Sequence, residues 1–355
     1  LQMASDWLVG EQAAVPAMDQ DGQQFIWLNG RVDWGHEKLS AILAMAAQAK
    51  TVRIRDELGL LAFSCPGSLS RHILEDWKNW QSQGGESTDC RMWAPELPSG
   101  DGPAETSRVL KWIWEIVPRT PTMLSEDLEW AKTGISWHRQ PHGVVPLQEK
   151  EEPVWARETH LRSWSEDPPA TRCNPDALKG MDNIWCGPMV TIGAGTAIDA
   201  TSGPVILDRG VDIMPNCYLE GPLYIGPGSR VKAGASIYGV SSFGIGNRIA
   251  GEIGESTFGD FANKQHEGFI GHAVLGSWVN LGALTTCSDL KNNYGNVRVD
   301  LGSGQVDSGL RFVGLLMGDH AKTAIGTLFN TGSSVGFASN IFGGRMPPKC
   351  VGNFS

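Results

Sequence analysis

The stretch IGPGSRVKAGASIYGVSSFGIGNRI, residues 225–249, decides the fold of the C-terminal half of this chain. A bulky apolar residue returns at every sixth position, and a small residue often follows it four positions later. This period predicts a coil of flat faces, each one short strand, in which the bulky side chain points inward and the small residue fits the corner. Stacked coils bury what one coil cannot bury alone. The apolar positions are Ile225, Val231, Ile237, Phe243 and Ile249, and small residues in phase with them include Ser229, Ala235 and Ser241.

The same spacing recurs on both sides of this stretch. A Gly-rich sandwich or barrel would show strict alternation over longer strands, and that pattern does not occur from residue 187 onward. The sequence therefore predicts a parallel β-helix over residues 187–355. The further positions six apart are Ile192/Ile198, Val205/Val211, Phe269/Leu275/Leu281/Cys287 and Phe329/Val335/Ile341.

Residues 1–140 have a mixed pattern that predicts a partial α/β domain, and residues 141–186, rich in prolines and charges, predict a linker with a helical connection. Candidate strands are 24–29 and 60–64. Candidate helices are 36–50, 69–80 and 108–117, with a further helix start at Ser125. The first residue is Leu1 rather than Met. We therefore expect that the native N-terminus lies upstream.

Composition and charge disfavour several classes of function. A net charge of −10 disfavours a nucleic-acid binder, which needs a basic face to release counterions. The seven scattered cysteines never show the C-x-x-C spacing, which disfavours a disulfide framework and a zinc site and favours a cytoplasmic protein. No stretch has the roughly 20 apolar residues of a membrane span. We expect no nucleic acid, membrane or metal partner for these residues.

Four motifs resemble a known family when they are taken together. They are similar to the acetyltransferase half of bacterial bifunctional uridylyltransferase/glucosamine-1-phosphate N-acetyltransferases, and most similar to a divergent branch described as sugar nucleotidyltransferases or UDP-N-acetylglucosamine diphosphorylase-related proteins. The resemblance is strongest over about residues 185–355. It implies a left-handed β-helix built of hexapeptide repeats, a homotrimer and acetyl-CoA as co-substrate. The motifs are NKQHEGF (263–269), SDLKNNY (288–294), MGDHAK (317–322) and FNTG (329–332).

The resemblance places the catalytic base at His266. An amine that attacks an acetyl thioester must lose a proton, and imidazole suits that task near neutral pH. A histidine that only caps a turn is the alternative interpretation. The resemblance also implies substrate contacts by Lys264, Asn280, Lys291, Asn292 and Tyr294, and coenzyme contacts by Asp319, His320 and Lys322.

Two positions depart from the family pattern. A tyrosine three residues after the base is Phe269 here, and a lysine twelve residues before it is Gly254. The identity of the sugar is therefore left open, and phosphate contacts can come instead from Arg230, Lys232 or Arg248.

Nucleotide transfer needs a Gly-rich, basic loop for the triphosphate and carboxylates for Mg²⁺. The nearest segment here, 98–103, is better interpreted as a surface loop. We expect acetyl transfer to an amino-sugar phosphate in nucleotide-sugar biosynthesis, with nucleotidyltransferase activity and Mg²⁺ only in a longer protein. The alternatives are a nucleotidyltransferase whose catalytic loop is missing, or a catalytically silent β-helix that trimerises or senses a ligand.

Overall fold

The structure is a computed structural model that forms two compact units. The first comprises residues Leu1–Lys111 and Glu129–Leu147, and the second comprises Trp112–Leu128 and Gln148–Ser355. The domain boundaries at 140 and 186 stay predictions. The structure describes residues 24–28, 32–33, 52–56, 59–66, 108–109, 112–131, 137–140, 143–146, 177–187, 189–302 and 304–355.

The described part of the first unit consists of short antiparallel strands. Strand Gly59–Pro66 lies between Gln24–Leu28 and Val52–Asp56 in one sheet. The other strands form two antiparallel pairs, Val32–Asp33 with Arg108–Val109 and Trp137–Gln140 with Gly143–Pro146. The strands expected at 24–29 and 60–64 are confirmed, and the helices expected at 36–50 and 69–80 lie outside the described residues. The strands are β1 (Gln24–Leu28), β2 (Val32–Asp33), β3 (Val52–Asp56), β4 (Gly59–Pro66), β5 (Arg108–Val109), β6 (Trp137–Gln140) and β7 (Gly143–Pro146).

The second unit contains a parallel β-solenoid of about ten turns, which confirms the fold predicted from the six-residue period. Its three walls are called sheets A, B and C, and the chain passes through them in the order A, C, B. Its left-handed sense stays a prediction. Sheet A contains β8 (Leu178–Lys179), β11 (Ala197–Asp199), β14 (Tyr218–Glu220), β17 (Ser236–Tyr238), β20 (Glu252–Gly254) and β23 (Phe269–Gly271), and its wall continues in β25 (Thr286–Cys287) and β30 (Leu328–Phe329).

Sheets B and C complete the walls. Sheet B contains β10 (Thr191–Ile192), β13 (Asp212–Ile213), β16 (Arg230–Val231), β19 (Arg248–Ile249), β22 (Asn263–Lys264), β29 (Lys322–Thr323) and β32 (Asn340–Ile341), joined through Asn280. Sheet C contains β9 (Ile184–Cys186), β12 (Val205–Leu207), β15 (Leu223–Ile225), β18 (Ser241–Phe243), β21 (Thr257–Phe258), β24 (Val274–Leu275), β28 (Leu316–Met317), β31 (Ser334–Val335) and β33 (Cys350–Val351).

The residues of the six-residue period form the interior of the β-helix. Ile225, Val231, Ile237, Phe243 and Ile249 are all fully buried. Burying each such side chain contributes about 1.5–3 kcal/mol, so the stack of coils is stabilised mainly by this column. The small residues at the corners, Ser229, Ala235, Ser241, Ser333 and Ser339, are buried as well.

One position of the period is wrong. Phe269 is only half-buried, and the inward residue of its strand is Ile270, which is fully buried. The physical reason is a change of coil length. Register partners in sheet C lie 18 residues apart from Leu207 to Phe243, whereas the next coils span 15 and 17 residues.

A 42-residue step from Leu275 to Met317 contains an insertion, residues 288–315. Its antiparallel strands β26 (Arg298–Asp300) and β27 (Gln305–Asp307) form a hairpin. Val297, Val299 and Val313 of the insertion pack with Trp114 and Val117 and with Val274 and Leu316 on the outer face of sheet C, so the insertion and the segment around Trp114 cover this wall.

The segment that contains Trp114 differs from its prediction. A helix was expected at 108–117, but Arg108–Val109 form β5, and α1 spans Ile116–Ala131 after a 3-10 turn at Ile113–Glu115. The helix start expected at Ser125 is also wrong, because Ser125 lies within α1 and its hydroxyl donates to the Pro121 carbonyl. Polar side chains that bond back to the preceding turn are compatible with a helix interior. No helix in the described ranges is long and apolar enough to cross a membrane.

Candidate functional site

His266 lies at the corner from sheet B to sheet A. In most coils two residues separate the inward residue of sheet B from a residue with positive φ, as between Leu281 and Leu284 (φ 63°). Three residues separate Lys264 from Gly268 (φ 130°). The left-handed residue therefore comes one position later here, but the step between inward residues is unchanged, because Ile270 follows Lys264 by six residues as Cys287 follows Leu281. His266 is exposed at this corner. Phe269 lies outside the interior because Leu275 follows Ile270 by five residues, whereas Phe243 follows Ile237 by six.

Lys264 is not on the surface, which corrects the contact expected of it. Its side chain is 2% exposed, and its ammonium donates hydrogen bonds to the carbonyl oxygens of Ala250 (2.9 Å) and His266 (2.8 Å). Loss of solvent lowers the pKa of Lys264 to about 8. An ammonium enclosed in the solenoid cannot meet a phosphate on the outer wall. Instead it ties the corner that contains His266 to the coil before it.

Asn280 lies on the outer face of sheet B, in the coil after His266. It forms parallel bridges with Asn263 in the coil before and Lys322 in the coil after it. The amide of Asn263 donates to Oδ1 of Asn280 at 2.6 Å, and Lys322 is exposed. Neighbouring strands lie about 4.8 Å apart, so two residues expected to bind different reactants, Asn280 and Lys322, are direct neighbours.

The corner from sheet C to sheet B carries the other expected coenzyme residues. His320 is exposed, with φ 59°, and its ring is parallel to that of Trp278 at 6.1 Å between centroids. Asp319 has a structural partner, because its Oδ1 accepts a hydrogen bond from the Ser277 backbone N–H at 2.7 Å. The structure thus brings His266, Asn280, His320 and Lys322 to one wall and its two edges.

Lys291, Asn292 and Tyr294 lie elsewhere, at the start of the insertion that follows sheet A. The ammonium of Lys291 donates to the Asn296 carbonyl at 3.0 Å, and the Tyr294 side chain is 68% exposed. The described residues of one chain therefore do not bring this group to the wall that carries Asn280.

The three residues expected as alternative phosphate contacts differ in the bonds that their charged groups already make. The guanidinium of Arg230 is paired with Asp212 at 2.8 Å. Nη1 of Arg248 donates to main-chain carbonyls of residues 228, 246 and 247, each at 3.3 Å. Lys232 is half-buried at the same corner as His266, two coils upstream.

The sequence interpretation missed a charged cluster around His272. Its Nδ1 lies 2.8 Å from Asp289 of the insertion, and its Nε2 forms an ion pair with Glu255 of the preceding coil. Burial by itself would lower the pKa of His272, but the hydrogen bonds and charges of the two carboxylates outweigh it and raise the pKa to about 9. The imidazolium therefore joins two coils and the insertion through charge-assisted hydrogen bonds.

A cavity of about 220 Å³ lies beside this cluster. Its walls are mostly apolar and include Trp114, Val117 and Phe312, whose ring stacks on His272 at 4.8 Å. Because its three side chains come from separate segments, each 17 positions from the next, spacing along the chain could not reveal it.

The chain was compared with known proteins. No protein-family model matches it. Three curated proteins are similar to its C-terminal part, and the chain spans between about a quarter and two fifths of their lengths. A bifunctional sugar-1-phosphate nucleotidylyltransferase/acetyltransferase from Sulfurisphaera tokodaii is 28% identical over 156 residues, 42% of this chain and 38% of that protein. The bifunctional protein GlmU from an Exiguobacterium species is 32% identical over 147 residues (38% and 32%), and that from Ralstonia nicotianae is 31% identical over 124 residues (33% and 26%).

Proposed function

We propose that the β-helix transfers an acetyl group from acetyl-CoA to the amine of an amino-sugar phosphate, with His266 as the general base. Glucosamine-1-phosphate is the first candidate acceptor. The similarity to the bifunctional sugar-1-phosphate nucleotidylyltransferase/acetyltransferase of Sulfurisphaera tokodaii supports this proposal. The proposal concerns the C-terminal unit, which contains all the candidate residues.

The observation that carries the proposal is the corner that contains His266. The imidazole is exposed and has no hydrogen-bond partner among the described residues, while the main chain beneath it is held by the ammonium of Lys264. A general base needs this combination, because its nitrogen must be open to the nucleophile while its position is fixed.

The chemistry follows from the exposed imidazole. As the amine nitrogen forms a bond to the thioester carbonyl carbon, the imidazole takes the proton that the amine loses. The carbon–sulfur bond then breaks, and the sulfur of coenzyme A leaves as a thiol after accepting a proton. Imidazole exchanges protons readily near neutral pH and so suits both transfers.

The neighbouring wall supplies groups for orientation. Asn280, oriented by Asn263, offers an amide to a sugar hydroxyl or to the thioester carbonyl oxygen. Lys322, in the coil after Asn280, offers a positive charge to a phosphate. His320 lies at the far edge of the same wall. The proposed acceptor and coenzyme thus meet on the outer face of sheet B.

A homotrimer forms part of the proposal. Lys291, Asn292 and Tyr294 are far along the perimeter of the coil from His266, since sheet A separates the two corners. A neighbouring copy of this chain could present these residues to the His266 side of the first copy. Each site would then be completed by two subunits.

The test is thiol release from acetyl-CoA with a panel of amino sugars that includes glucosamine, its 1-phosphate and its 6-phosphate. We expect release with one of the phosphorylated sugars, and a fall of about 100-fold or more in His266→Ala, in line with the usual contribution of a general base.

The matched control is Pro215→Ala, which changes an exposed residue at the equivalent corner three coils upstream. This variant should keep full activity. Equal rates in the wild-type protein and in His266→Ala, or trimers without turnover on any amino sugar, would contradict the proposal.

A further inference from the structure

The cavity of about 220 Å³ beside His272 is bounded by three parts of the second unit. One is the chain from Trp114 to Pro121 at the start of α1, and another is the end of the insertion, residues 310–313. The third is the corner between sheets A and C, where Val240, Glu255 and His272 come from successive coils. Sheet B takes no part in this corner, so the cavity is separate from the candidate residues on that wall.

Trp114 lines the cavity and carries a buried hydrogen-bond donor. Its side chain is 2% exposed, and the indole Nε1 has no hydrogen-bond partner in the part of the chain that the structure describes. The ring is stacked on that of Trp112, with centroids 5.1 Å apart and planes 8° apart. A buried N–H without an acceptor is unfavourable and uncommon in native structures. The indole N–H is therefore open to an acceptor atom of a ligand.

The charged residues that line the cavity sum to one positive charge. Glu255 contributes one negative charge, and His272 and Arg311 contribute one positive charge each. Both ring nitrogens of His272 are already bonded, one to Glu255 and the other to Asp289 of the insertion. Arg311 is exposed, and its guanidinium has no ion pair among the described residues. Two donors without partners, one neutral and one cationic, thus line the same apolar cavity.

We propose that this cavity binds a small monocarboxylate with a compact apolar body. The apolar part packs against Trp114 and Phe312, one carboxylate oxygen accepts a hydrogen bond from Nε1 of Trp114, and Arg311 pairs with the negative charge. Apolar walls with a few convergent polar groups are typical of small-molecule sites. The size is suitable, because an apolar cavity of about 150 Å³ holds benzene, and about 220 Å³ has space for a ring with a carboxylate.

The test uses benzoate and its uncharged analogue benzamide as probes, in calorimetric titrations of the full chain. The wild-type protein should bind one benzoate per chain. It should bind benzoate about 10-fold more tightly than benzamide, because hydrogen bonds to a charged acceptor are roughly twice as strong as neutral ones. The amide oxygen of benzamide can still accept from the indole N–H, so weak binding of this probe is expected.

Arg311→Gln tests the charge. This exposed substitution should weaken benzoate binding about 10-fold and leave benzamide binding unchanged, so that the preference for the charged probe disappears. Arg345→Gln is the matched control, because Arg345 is an exposed arginine that does not line the cavity. This control should bind both probes as the wild type does.

Trp114→Phe tests the donor, because it keeps an aromatic ring and removes the N–H. It should weaken benzoate about 10-fold, as loss of a hydrogen bond to a charged group usually does, whereas Trp185→Phe, outside the cavity, should have no effect. Since Trp114 is buried, a second measurement is made on the wild-type protein labelled with 15N at tryptophan. The indole resonance that disappears in Trp114→Phe should shift when benzoate binds.

Three results would overturn the proposal. The first is the absence of binding by benzoate, phenylacetate and isovalerate at millimolar concentrations. The second is equal affinity of the wild-type protein for benzoate and benzamide, which would exclude recognition of a carboxylate. The third is unchanged benzoate affinity in both Arg311→Gln and Trp114→Phe, which would place the bound probe outside this cavity. None of these results depends on whether sheet B transfers acetyl groups.

Discussion

The ammonium nitrogen of Lys264 lies inside the β-helix, 2.8 Å from the main-chain carbonyl oxygen of His266 on its outside. An interior side chain thus fixes the position of an exterior one. A cation in a column of apolar residues is unfavourable by itself, and its two bonds to buried carbonyls offset that cost. The relationship explains how the main chain at His266 is held in place although the imidazole has no partner among the described residues.

Replacing Lys264 with methionine should destabilise the β-helix. Methionine retains the length and apolar character of the side chain but leaves the carbonyls of Ala250 and His266 without a donor, which costs about 1–3 kcal/mol for each group left unsatisfied. Equilibrium unfolding in urea measures the change, and Lys232→Met, at the same corner in an upstream coil, is the control. A variant as stable as the wild type would show that the ammonium does not hold this corner.

The difference between Lys264→Met and wild type should also depend on pH. The pKa of Lys264 is about 8 in the folded protein against an ordinary value of 10.5, so the unfolded chain binds more protons between these values. The contribution of this group to the free energy of unfolding should therefore rise as the pH rises from 8 to 10.5. A constant difference across this window would contradict the burial of the amine.

His272 should contribute stability with the opposite sign of pH dependence. Its pKa is about 9 in the folded protein against 6.5 ordinarily. Its contribution is fully present below pH 6.5 and is lost as the pH rises through 9. The loss is up to about 3 kcal/mol, and less because Glu255 is partly exposed to solvent. Urea midpoints of wild type and His272→Gln at pH 6, 7.5 and 9 test this: the gap between them should close with rising pH.

Ile237 belongs to the column of interior residues, so we expect its truncation to reduce the stability of the β-helix strongly. This side chain is fully buried, so Ile237→Ala should lower the free energy of unfolding by about 2–5 kcal/mol. The adjacent Tyr238→Ala, which removes a partly exposed ring on the outer face, should cost much less. Similar losses for both variants, measured by thermal or urea unfolding, would contradict the inward and outward assignment of this strand.

Substitutions at Leu284 test whether the left-handed backbone conformation at the corners is strained. Leu284 has φ 63° and is 58% exposed, so little packing is lost on truncation. Leu284→Gly should be more stable than Leu284→Ala by about 1 kcal/mol, because only alanine keeps the Cβ that is strained in the left-handed conformation. Comparing these two variants separates the backbone effect from the loss of the side chain. Alanine being the more stable of the two would show that the residue does not hold a left-handed conformation.

The sequence was sufficient to predict the β-helix and its interior column, because a period of six over five successive positions has one simple physical meaning. It could not place Lys264, since a lysine in a coil motif is normally solvated, and only the register with Ile249 and Leu281 shows that position 264 points inward. The misplaced Phe269 has a different origin. The step from the inward residue of sheet A to that of sheet C is five residues from Ile270 to Leu275 instead of six, and a shift by one residue exchanges inward and outward positions.

The contacts around His272 and Trp278 were missed for a different reason. The cluster of Glu255, His272 and Asp289 and the stack of Phe261, Trp278 and His320 join residues from successive coils, 17 or more positions apart. Coils of 18, 15, 17 and 42 residues cannot be aligned until the structure gives their register. The predicted residues Asn280 and Lys322, by contrast, came from local motifs.

The even spacing of the upstream coils has a consequence for engineering. Leu207, Ile225 and Phe243 are register partners separated by equal lengths of chain, so excision of residues 208–225 would join equivalent points of the wall and preserve the phase of everything downstream. The β-helix would shorten by one coil, about 4.8 Å, without altering any candidate residue on sheet B. Length and chemistry are thus modular in this molecule, and each can be varied without redesign of the other.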